Sequence, residues 1–380
     1  MKKMIYFDNA STTKVDDRVL EEMVKYYSDV YSNPSSVHSF GNLSLNAVKI
    51  AREQVSELIT CNTNELIFTS GATEAINFGI KGYVHSNNEL GKHIITVSTE
   101  HKAVLDTCNY LETIGYEITF LPVNKNGLID IEQLKSVIKD DTILIAIMFV
   151  NNEIGVIQDI KKISDIAHEK NICFFCDATQ AVGKIPINVE NLGIDMMAFS
   201  AHKFYGPKGV GALYVNNKFK KITPLIHGGG QELGLRSGTL NVPGIVGLGK
   251  ACEIAISEMT ENEEKIYQLK NYLENEMLKF PNSFINGNGS KRIFNITNIC
   301  FPGLDSNIII SKLINVSLSN GSACTSNTIE SSHVLKSMGL NNRDAYSSIR
   351  FSLGKFNIQN EIITTLKLFN ELTKLHLPYA

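Results

Sequence analysis

Apolar segments of strand length alternate with helical segments through the first two-thirds of the chain, and no other feature restricts the fold as much. Strands are predicted at 65–69, 93–97, 118–123, 142–149 and 172–176. Helices are predicted before and between them, at 16–27, 43–59, 72–84, 101–114, 131–138 and 160–167. Repeated strand–helix–strand units form a mostly parallel sheet covered on both faces, and uniformly apolar strands such as TILIAIMFV fit that burial. The prediction is an α/β fold.

The pattern changes after about residue 244, where a long helical segment leads into a less regular alternation. The chain has 380 residues, and a single core stops growing at roughly 250–300 residues. We therefore expect two domains. The large domain is predicted at 15–257, and a smaller α+β domain at 258–380 also takes up the N-terminal segment 1–14.

Charge and targeting signals exclude several classes of protein. The 36 basic and 39 acidic residues are mixed along the chain and leave a net charge of -3, which favours neither nucleic acid nor an anionic membrane as a partner. The start of the chain lacks the apolar core of a signal peptide, and the longest apolar run, 143–150, is too short to span a bilayer. Seven cysteines without a targeting signal argue for reduced thiols. We expect a soluble cytoplasmic protein.

Three of the cysteines are predicted to be buried. Cys173 and Cys176 form a C-x-x-C pair inside a predicted strand, where a three-residue offset points the side chains to opposite faces. Burial is therefore favoured over metal or redox use. Cys108 continues an apolar helical stripe with Val104 and Leu111, and is also expected in the core.

Polar side chains follow several predicted strands, where α/β proteins commonly carry their chemistry. Residues 70–74, SGATE, offer a hydroxyl and free N–H groups at a helix start, and form either a phosphate-binding turn or a plain capped helix. Asp177 and Gln180 follow the strand ICFFC. The Asp177 carboxylate is either buried and paired with a cation, such as a protonated pyridinium nitrogen, or it is a simple cap. His101 either lies over a planar ring and shuttles protons or is a structural histidine.

Lys203 lies just after an apolar run, 196–200, and before a turn rich in glycine and proline. It is either an ordinary surface lysine or the amine that forms a Schiff base with the aldehyde of pyridoxal phosphate. A phosphate-binding turn, a pyridinium partner, a histidine over the ring and a Schiff-base lysine on strand ends together describe a pyridoxal phosphate site.

Two residues of the second domain add to this picture. Arg350 lies in a predicted strand, 347–353, on the face opposite the apolar side chains, where its planar fork could meet a substrate carboxylate or simply lie at the surface. Cys324 lies in a run of small residues, NGSACTSN, with nothing to bury a thiol against. An exposed cysteine of this kind indicates a reactive thiolate.

The chain closely resembles the NifS/IscS-like cysteine desulfurases, which are pyridoxal phosphate enzymes of the class V aminotransferase group with pyridoxal phosphate fold type I. The resemblance covers essentially the whole chain. The motifs that carry it are, in order, DNASTT, SGATE, TEHKAVLDT, VNNEIGVIQDI, DATQ, the stretch around Lys203, HGGG, RSGT, GSACTS and SSIRFSLG.

The resemblance implies a role for each residue that matches a family motif. Lys203 is implied to be the Schiff-base lysine, His101 the histidine stacked on the cofactor ring, and Asp177 the partner of the pyridinium nitrogen. The other implied contacts are Gln180 at the phenolate oxygen, Ala72, Thr73, Ser200 and His202 at the phosphate, and Asn152 and Arg350 at the cofactor and the substrate carboxylate.

Two more residues match functional positions of the family. Thr239 in RSGT matches the threonine that reaches the phosphate of the other subunit's cofactor, which implies a homodimer. Cys324 matches the cysteine that becomes the persulfide and that can transiently ligate a nascent iron-sulfur cluster, without a fixed metal site. The implied reaction converts L-cysteine to L-alanine, and the persulfide sulfur passes to an iron-sulfur scaffold protein or to a tRNA-thiolation enzyme.

Three other functions stay open at this point. A selenocysteine lyase would share most of these residues. Another class V aminotransferase would have no need of the Cys324 thiol. A noncatalytic scaffold subunit for sulfur transfer would be expected to have lost Lys203, His101 or Cys324, and all three are present.

Overall fold

The computed structural model describes residues 4–321 and 331–376, which form a large sheet flanked by helices and a smaller unit built on a three-stranded sheet. The strands are β1 Ile5–Tyr6, β2 Leu66–Thr69, β3 His93–Val97, β4 Glu117–Leu121, β5 Thr142–Ala146, β6 Cys173–Asp177, β7 Met196–Ser200, β8 Gly211–Val215, β9 Phe284–Ile285, β10 Ile296–Cys300, β11 Val316–Ser317 and β12 Ser348–Ser352. The helices are α1 Asp17–Ser28, α2 Ser39–Ile59, α3 Ala72–Ser86, α4 Lys102–Thr113, α5 Ile131–Val137, α6 Ile160–Glu169, α7 Val242–Met277, α8 Ser306–Lys312, α9 His333–Ser337, α10 Asn342–Tyr346 and α11 Gln359–His376.

The large sheet has the strand order β2-β8-β7-β6-β5-β3-β4. Its neighbours are parallel except at β8, which runs antiparallel to both β2 and β7. The predicted mostly parallel α/β fold is therefore confirmed. Cys173 and Cys176 contribute to two different core clusters, as expected for side chains on opposite faces of β6, and Cys108 is fully buried.

Most predicted elements are found within a few residues of their expected bounds. Helix α2 begins at Ser39 rather than 43, because the ring of His38 accepts a hydrogen bond from the Gly41 N–H and caps the helix early. Strand β5 ends at Ala146 rather than 149, although the Phe149 N–H still bonds to the Asp177 carbonyl of β6. Hydrophobic periodicity located the segments, and local capping set their ends.

The carboxyl ends of β2, β3, β5, β6 and β7 lie at one edge of the large sheet. Strands β3, β5, β6 and β7 run parallel, and β2 points the same way because it and β7 are both antiparallel to β8. The segments after these strands therefore meet at that edge, where open α/β sheets bind their ligands.

The second sheet has the order β12-β10-β9, and strand β1 pairs with β11 in parallel. Helix α7 runs for 36 residues, packs against α1 and α2, and crosses position 257 without a break. The division into domains at 15–257 and 258–380 stays a prediction. No helix in the described ranges is long and apolar enough to cross a membrane.

Candidate active site

A cleft of about 630 Å³ opens at the carboxyl edge of the large sheet. It is lined by side chains from the segments after five strands, by the N-terminal segment 10–12 and by one arginine of β12. The predicted site residues found in its lining are Ala72, Thr73, His101, Asn152, Asp177, Gln180, Ser200, His202, Lys203 and Arg350.

Lys203 ends the short 3-10 turn that follows β7. Its Nζ donates hydrogen bonds to the carbonyl oxygens of Ala10 and Ser11, at 2.8 and 2.7 Å. Burial and the charge of Arg350 lower the pKa of the Lys203 amine to about 8, against the opposing charge of Asp177. A lysine with such a pKa has a substantial neutral fraction near physiological pH, which makes it a usable nucleophile or base.

Asp177 ends β6 and is buried at the floor of the cleft, where one carboxylate oxygen accepts a hydrogen bond from the Thr179 N–H at 2.9 Å. Its charge counteracts the desolvation that lowers the pKa of His101. The His101 Nδ1 accepts from the Ala103 N–H at 3.1 Å at the start of α4, so a neutral ring carries its proton on Nε2. These two residues place a carboxylate and an aromatic ring in the same cleft.

The start of helix α3 forms one end of the cleft. Gly71 precedes it with φ +154, and a Cβ there would lie 3.6 Å from Ser200 Oγ. The hydroxyls of Thr73 and Ser200 and the ring of His202 line the same end. Burial and neighbouring lysine charges lower the pKa of His202 to about 4, so its ring is neutral at pH 7. Free N–H groups, hydroxyls and the positive end of a helix dipole together favour a bound anion.

Arg350 lines the cleft from strand β12, with only 4% of its surface exposed. Its guanidinium donates to the Asn152 carbonyl at 2.9 Å, and to the Asp8 carboxylate and the Ser11 hydroxyl at 2.7 Å. Within the described residues, its buried Nε has no hydrogen-bond partner. The alternative of an ordinary surface arginine is therefore wrong.

Comparison with known proteins places the chain in a family. The family model described as Aminotransferase class-V matches residues 5–364. The chain belongs to the class-V aminotransferase family.

Within that family the chain belongs to the NifS/IscS-like cysteine desulfurases. It is 48% identical to the cysteine desulfurase IscS of Ehrlichia chaffeensis over 96% of this chain and 90% of that protein. A solved NifS-like protein superposes with a TM-score of 0.92 at 38% identity, covering 98% of this chain and 100% of that one. A solved structure of SspA in complex with cysteine superposes with a TM-score of 0.85 at 39% identity, covering 93% and 100% of the two chains.

The donor set of this cleft fits pyridoxal phosphate, the cofactor of the family. The anion-binding start of α3 suits a phosphate, and the buried carboxylate of Asp177 suits a protonated pyridine nitrogen. Lys203 offers an amine of lowered pKa to an aldehyde.

One predicted residue that the structure describes lies outside the cleft, and another is not described. Thr239 is exposed and lies outside the lining, although Arg236 of the same RSGT motif bonds to Glu74 at the start of α3, at 2.8 Å. Cys324 lies outside the described residues. The roles of both stay predictions.

The N-terminal segment carries the family motif DNASTT, but sequence reasoning assigned it no role in the site. Asp8 pairs with Arg350, the carbonyls of Ala10 and Ser11 bind Lys203, and Thr12 bonds to the ring of His202 at 3.0 Å. The run DNASTT is the one sequence signal for this involvement, because small polar residues without periodicity suit a backbone that lies along a site. The sequence does not indicate which residues this segment contacts.

Proposed function

We propose that this protein is a cysteine desulfurase that converts L-cysteine to L-alanine and leaves the sulfur as a persulfide on Cys324. The observation that carries the proposal is the position of Lys203, an amine of lowered pKa, in one cleft with Asp177 and Arg350. The named relatives support it, since they include cysteine desulfurases IscS and a protein solved in complex with cysteine.

Pyridoxal phosphate, when bound, would supply an electron sink for the pair of electrons left on the substrate Cα. Lys203 would hold its aldehyde carbon, and Asp177 would keep its ring nitrogen protonated. The phosphate would lie against Ala72, Thr73, Ser200 and His202 at the start of α3. His101 would lie over the cofactor ring. Gln180 would contact its phenolate oxygen, and Asn152 would contact the cofactor where it meets the substrate.

The substrate carboxylate would be held by Arg350 with help from Asn152. Arg350 lines the cleft, and its guanidinium is held in place by Asp8, Ser11 and the Asn152 carbonyl. A charge-assisted hydrogen bond to a carboxylate is among the stronger interactions available in a cleft. This arrangement favours an amino acid over an amine lacking the carboxylate.

Lys203 would also remove the proton from the substrate Cα once its amine is released. A general base works best when its pKa lies near the operating pH, and the pKa of about 8 for Lys203 meets that condition. The same ammonium group can later return a proton to the product carbon.

The Cys324 thiolate would attack the sulfur of the substrate. The new bond joins the two sulfur atoms, and the substrate C–S bond breaks with its electron pair left on carbon. Protonation of that carbon gives alanine, so the carbon is reduced as the transferred sulfur is oxidised, and no external oxidant is needed. Cys324 lies three residues after Gly321, where an added Cβ would lie 2.2 Å from Oε2 of Glu153, the residue after Asn152.

The persulfide would then pass to an acceptor. An iron-sulfur scaffold protein is the acceptor we propose, with a tRNA-thiolation enzyme as a further outlet and Cys324 as a transient cluster ligand. We also propose a homodimer in which Thr239 of each subunit reaches the phosphate in the other. The exposure of Thr239 and the bond between Arg236 and Glu74 support this arrangement.

The test is an assay of the purified protein supplied with pyridoxal phosphate and L-cysteine, with a reductant to release the sulfur. We expect a yellow protein that forms alanine and sulfide in equal amounts, and a Lys203→Ala variant that forms neither. A colourless, inactive protein would support a noncatalytic scaffold. Amino transfer to a keto acid would support another class V aminotransferase, and turnover of selenocysteine but not cysteine would support a selenocysteine lyase.

A further inference from the structure

Lys184 is a buried lysine that the proposed reaction does not use. It lies in the turn that follows β6, with 6% of its surface exposed. In the described part of the chain, its Nζ has one hydrogen-bond partner, the Gln180 Oε1 at 2.6 Å. Lys355, also buried, is by contrast paired with the carboxylates of Asp16 and Glu258.

The position of Lys184 is unfavourable for a cation. Burial, together with the charges of Lys203 and Arg350, lowers the pKa of its amine to about 7. A buried amino group without a carboxylate costs stability relative to an apolar side chain of similar size. A purely structural role is therefore a poor account of Lys184.

The hydrogen bond from Lys184 helps to fix which way the Gln180 amide faces. The oxygen and nitrogen of an amide have nearly the same shape, so their partners determine the orientation. The amine of Lys184 donates to Oε1, and Gln180 Nε2 donates to the Ala10 carbonyl at 2.8 Å. Lys203 donates to the same carbonyl oxygen, also at 2.8 Å. Lys184, Gln180, Ala10 and Lys203 thus form one connected series of hydrogen bonds.

We propose that Lys184 is a positioning residue that fixes the Gln180 amide, so that one N–H bonds to Ala10 and the other is available in the cleft to an anionic oxygen of the cofactor. The inference rests on the proposed function, because it takes the cleft to hold pyridoxal phosphate. Without Lys184, only the bond to the Ala10 carbonyl holds the amide, so its oxygen can turn toward the cleft more readily and would there repel that anionic oxygen.

The test is a double-mutant cycle on ligand affinity rather than on activity. The probe is pyridoxine 5'-phosphate, which has an alcohol in place of the aldehyde and so binds through its ring and phosphate without a bond to Lys203. Its dissociation constant is measured by equilibrium dialysis for the wild type, Lys184→Met, Gln180→Leu and the double variant. We expect each single change to weaken binding about tenfold, as for one hydrogen bond to a charged group. The double variant should bind no more weakly than Gln180→Leu alone.

A matched control is Lys270→Met. Lys270 is also buried, its pKa is lowered to about 8 by burial, and it donates to the Ile293 carbonyl outside the cleft lining. This variant should bind the probe as the wild type does. Equal loss of affinity in Lys270→Met and Lys184→Met would point to general destabilisation and overturn the inference.

The cycle separates this inference from the proposed function. Additive losses in the double variant, or unchanged affinity in Lys184→Met, would overturn the role of Lys184 while the wild type still formed alanine from cysteine. If Lys184→Met does not fold, Lys184→Gln keeps an N–H donor and replaces it in the same cycle, with a smaller loss expected. A wild type that neither binds pyridoxal phosphate nor forms alanine would overturn both.

Discussion

The guanidinium of Arg350 and the carboxylate of Asp8 meet at 2.7 Å beside the cleft, although they lie 342 positions apart in the chain. Residues near both ends of the chain are therefore joined at the site. Because Asp8 fixes part of the guanidinium, Arg350 is held in a defined position. The same carboxylate also raises the pKa of Lys203, so it acts on Lys203 as well as on Arg350.

Replacement of Arg350 by glutamine should weaken substrate binding. We expect the KM for L-cysteine to rise about 10- to 100-fold, the effect of losing charge-assisted hydrogen bonds to a carboxylate, with cofactor content unchanged. Steady-state kinetics on the purified variant measure this. Arg292→Gln is the control, because Arg292 is a partly buried arginine bound to Glu274 and outside the cleft lining. An unchanged KM in Arg350→Gln would contradict the assigned role.

The reactivity of Lys203 should depend on pH with a midpoint near 8. Only the neutral amine reacts with acylating reagents, so labelling should rise as the pH passes through the lowered pKa rather than near the ordinary value of 10.5. Competitive acetylation of the protein without added cofactor, read by peptide mass spectrometry, gives the midpoint. The Asp8→Asn change removes a negative charge that raises this pKa and should move the midpoint lower. A midpoint near 10 would contradict the description of the site.

Replacement of Cys324 by serine should separate cofactor binding from sulfur transfer. We expect the variant to retain pyridoxal phosphate but to form no protein persulfide from L-cysteine, which thiol-specific labelling and mass spectrometry can measure. Cys61→Ser is the control, since burial raises the pKa of the Cys61 thiol to about 12 and makes it a poor nucleophile. Persulfide formation that persists in Cys324→Ser would place the sulfur elsewhere.

Replacement of Gly321 by alanine should slow the reaction more than the same change at a glycine that has a similar φ but open space around it. Gly321 has φ +76, and a Cβ there would lie 2.2 Å from Glu153 Oε2. Gly339 has a similar φ of +91 with nothing within 4 Å of a Cβ, so Gly339→Ala reports the conformational cost alone, about 1 kcal/mol. We expect Gly321→Ala to unfold at a lower temperature than Gly339→Ala and to form persulfide more slowly. Equal unfolding temperatures and equal rates of persulfide formation in the two variants would show that a clash between the new methyl group and Glu153 has no effect.

The sequence by itself determined the α/β fold and much of the site. The alternation of apolar and helical segments specifies a parallel sheet, and the carboxyl ends of parallel strands share one edge. That geometry brings His101, Asp177 and Lys203 together without any further information, and all three line the cleft. The motifs also identified the family, because long matching segments in one order are specific.

The tertiary structure alone decided the contacts between segments that are distant in sequence. The pairing of Arg350 with Asp8, the bonds from Lys203 to Ala10 and Ser11, and the antiparallel insertion of β8 have no local signature. Side-chain periodicity reports which face of an element is buried, but it does not say which partner meets a polar group on that face. Lys184 shows the limit, since its sequence neighbours give no sign that its amine is buried against Gln180. Such pairings depend on how the elements pack around the cleft, and only the folded structure specifies that packing.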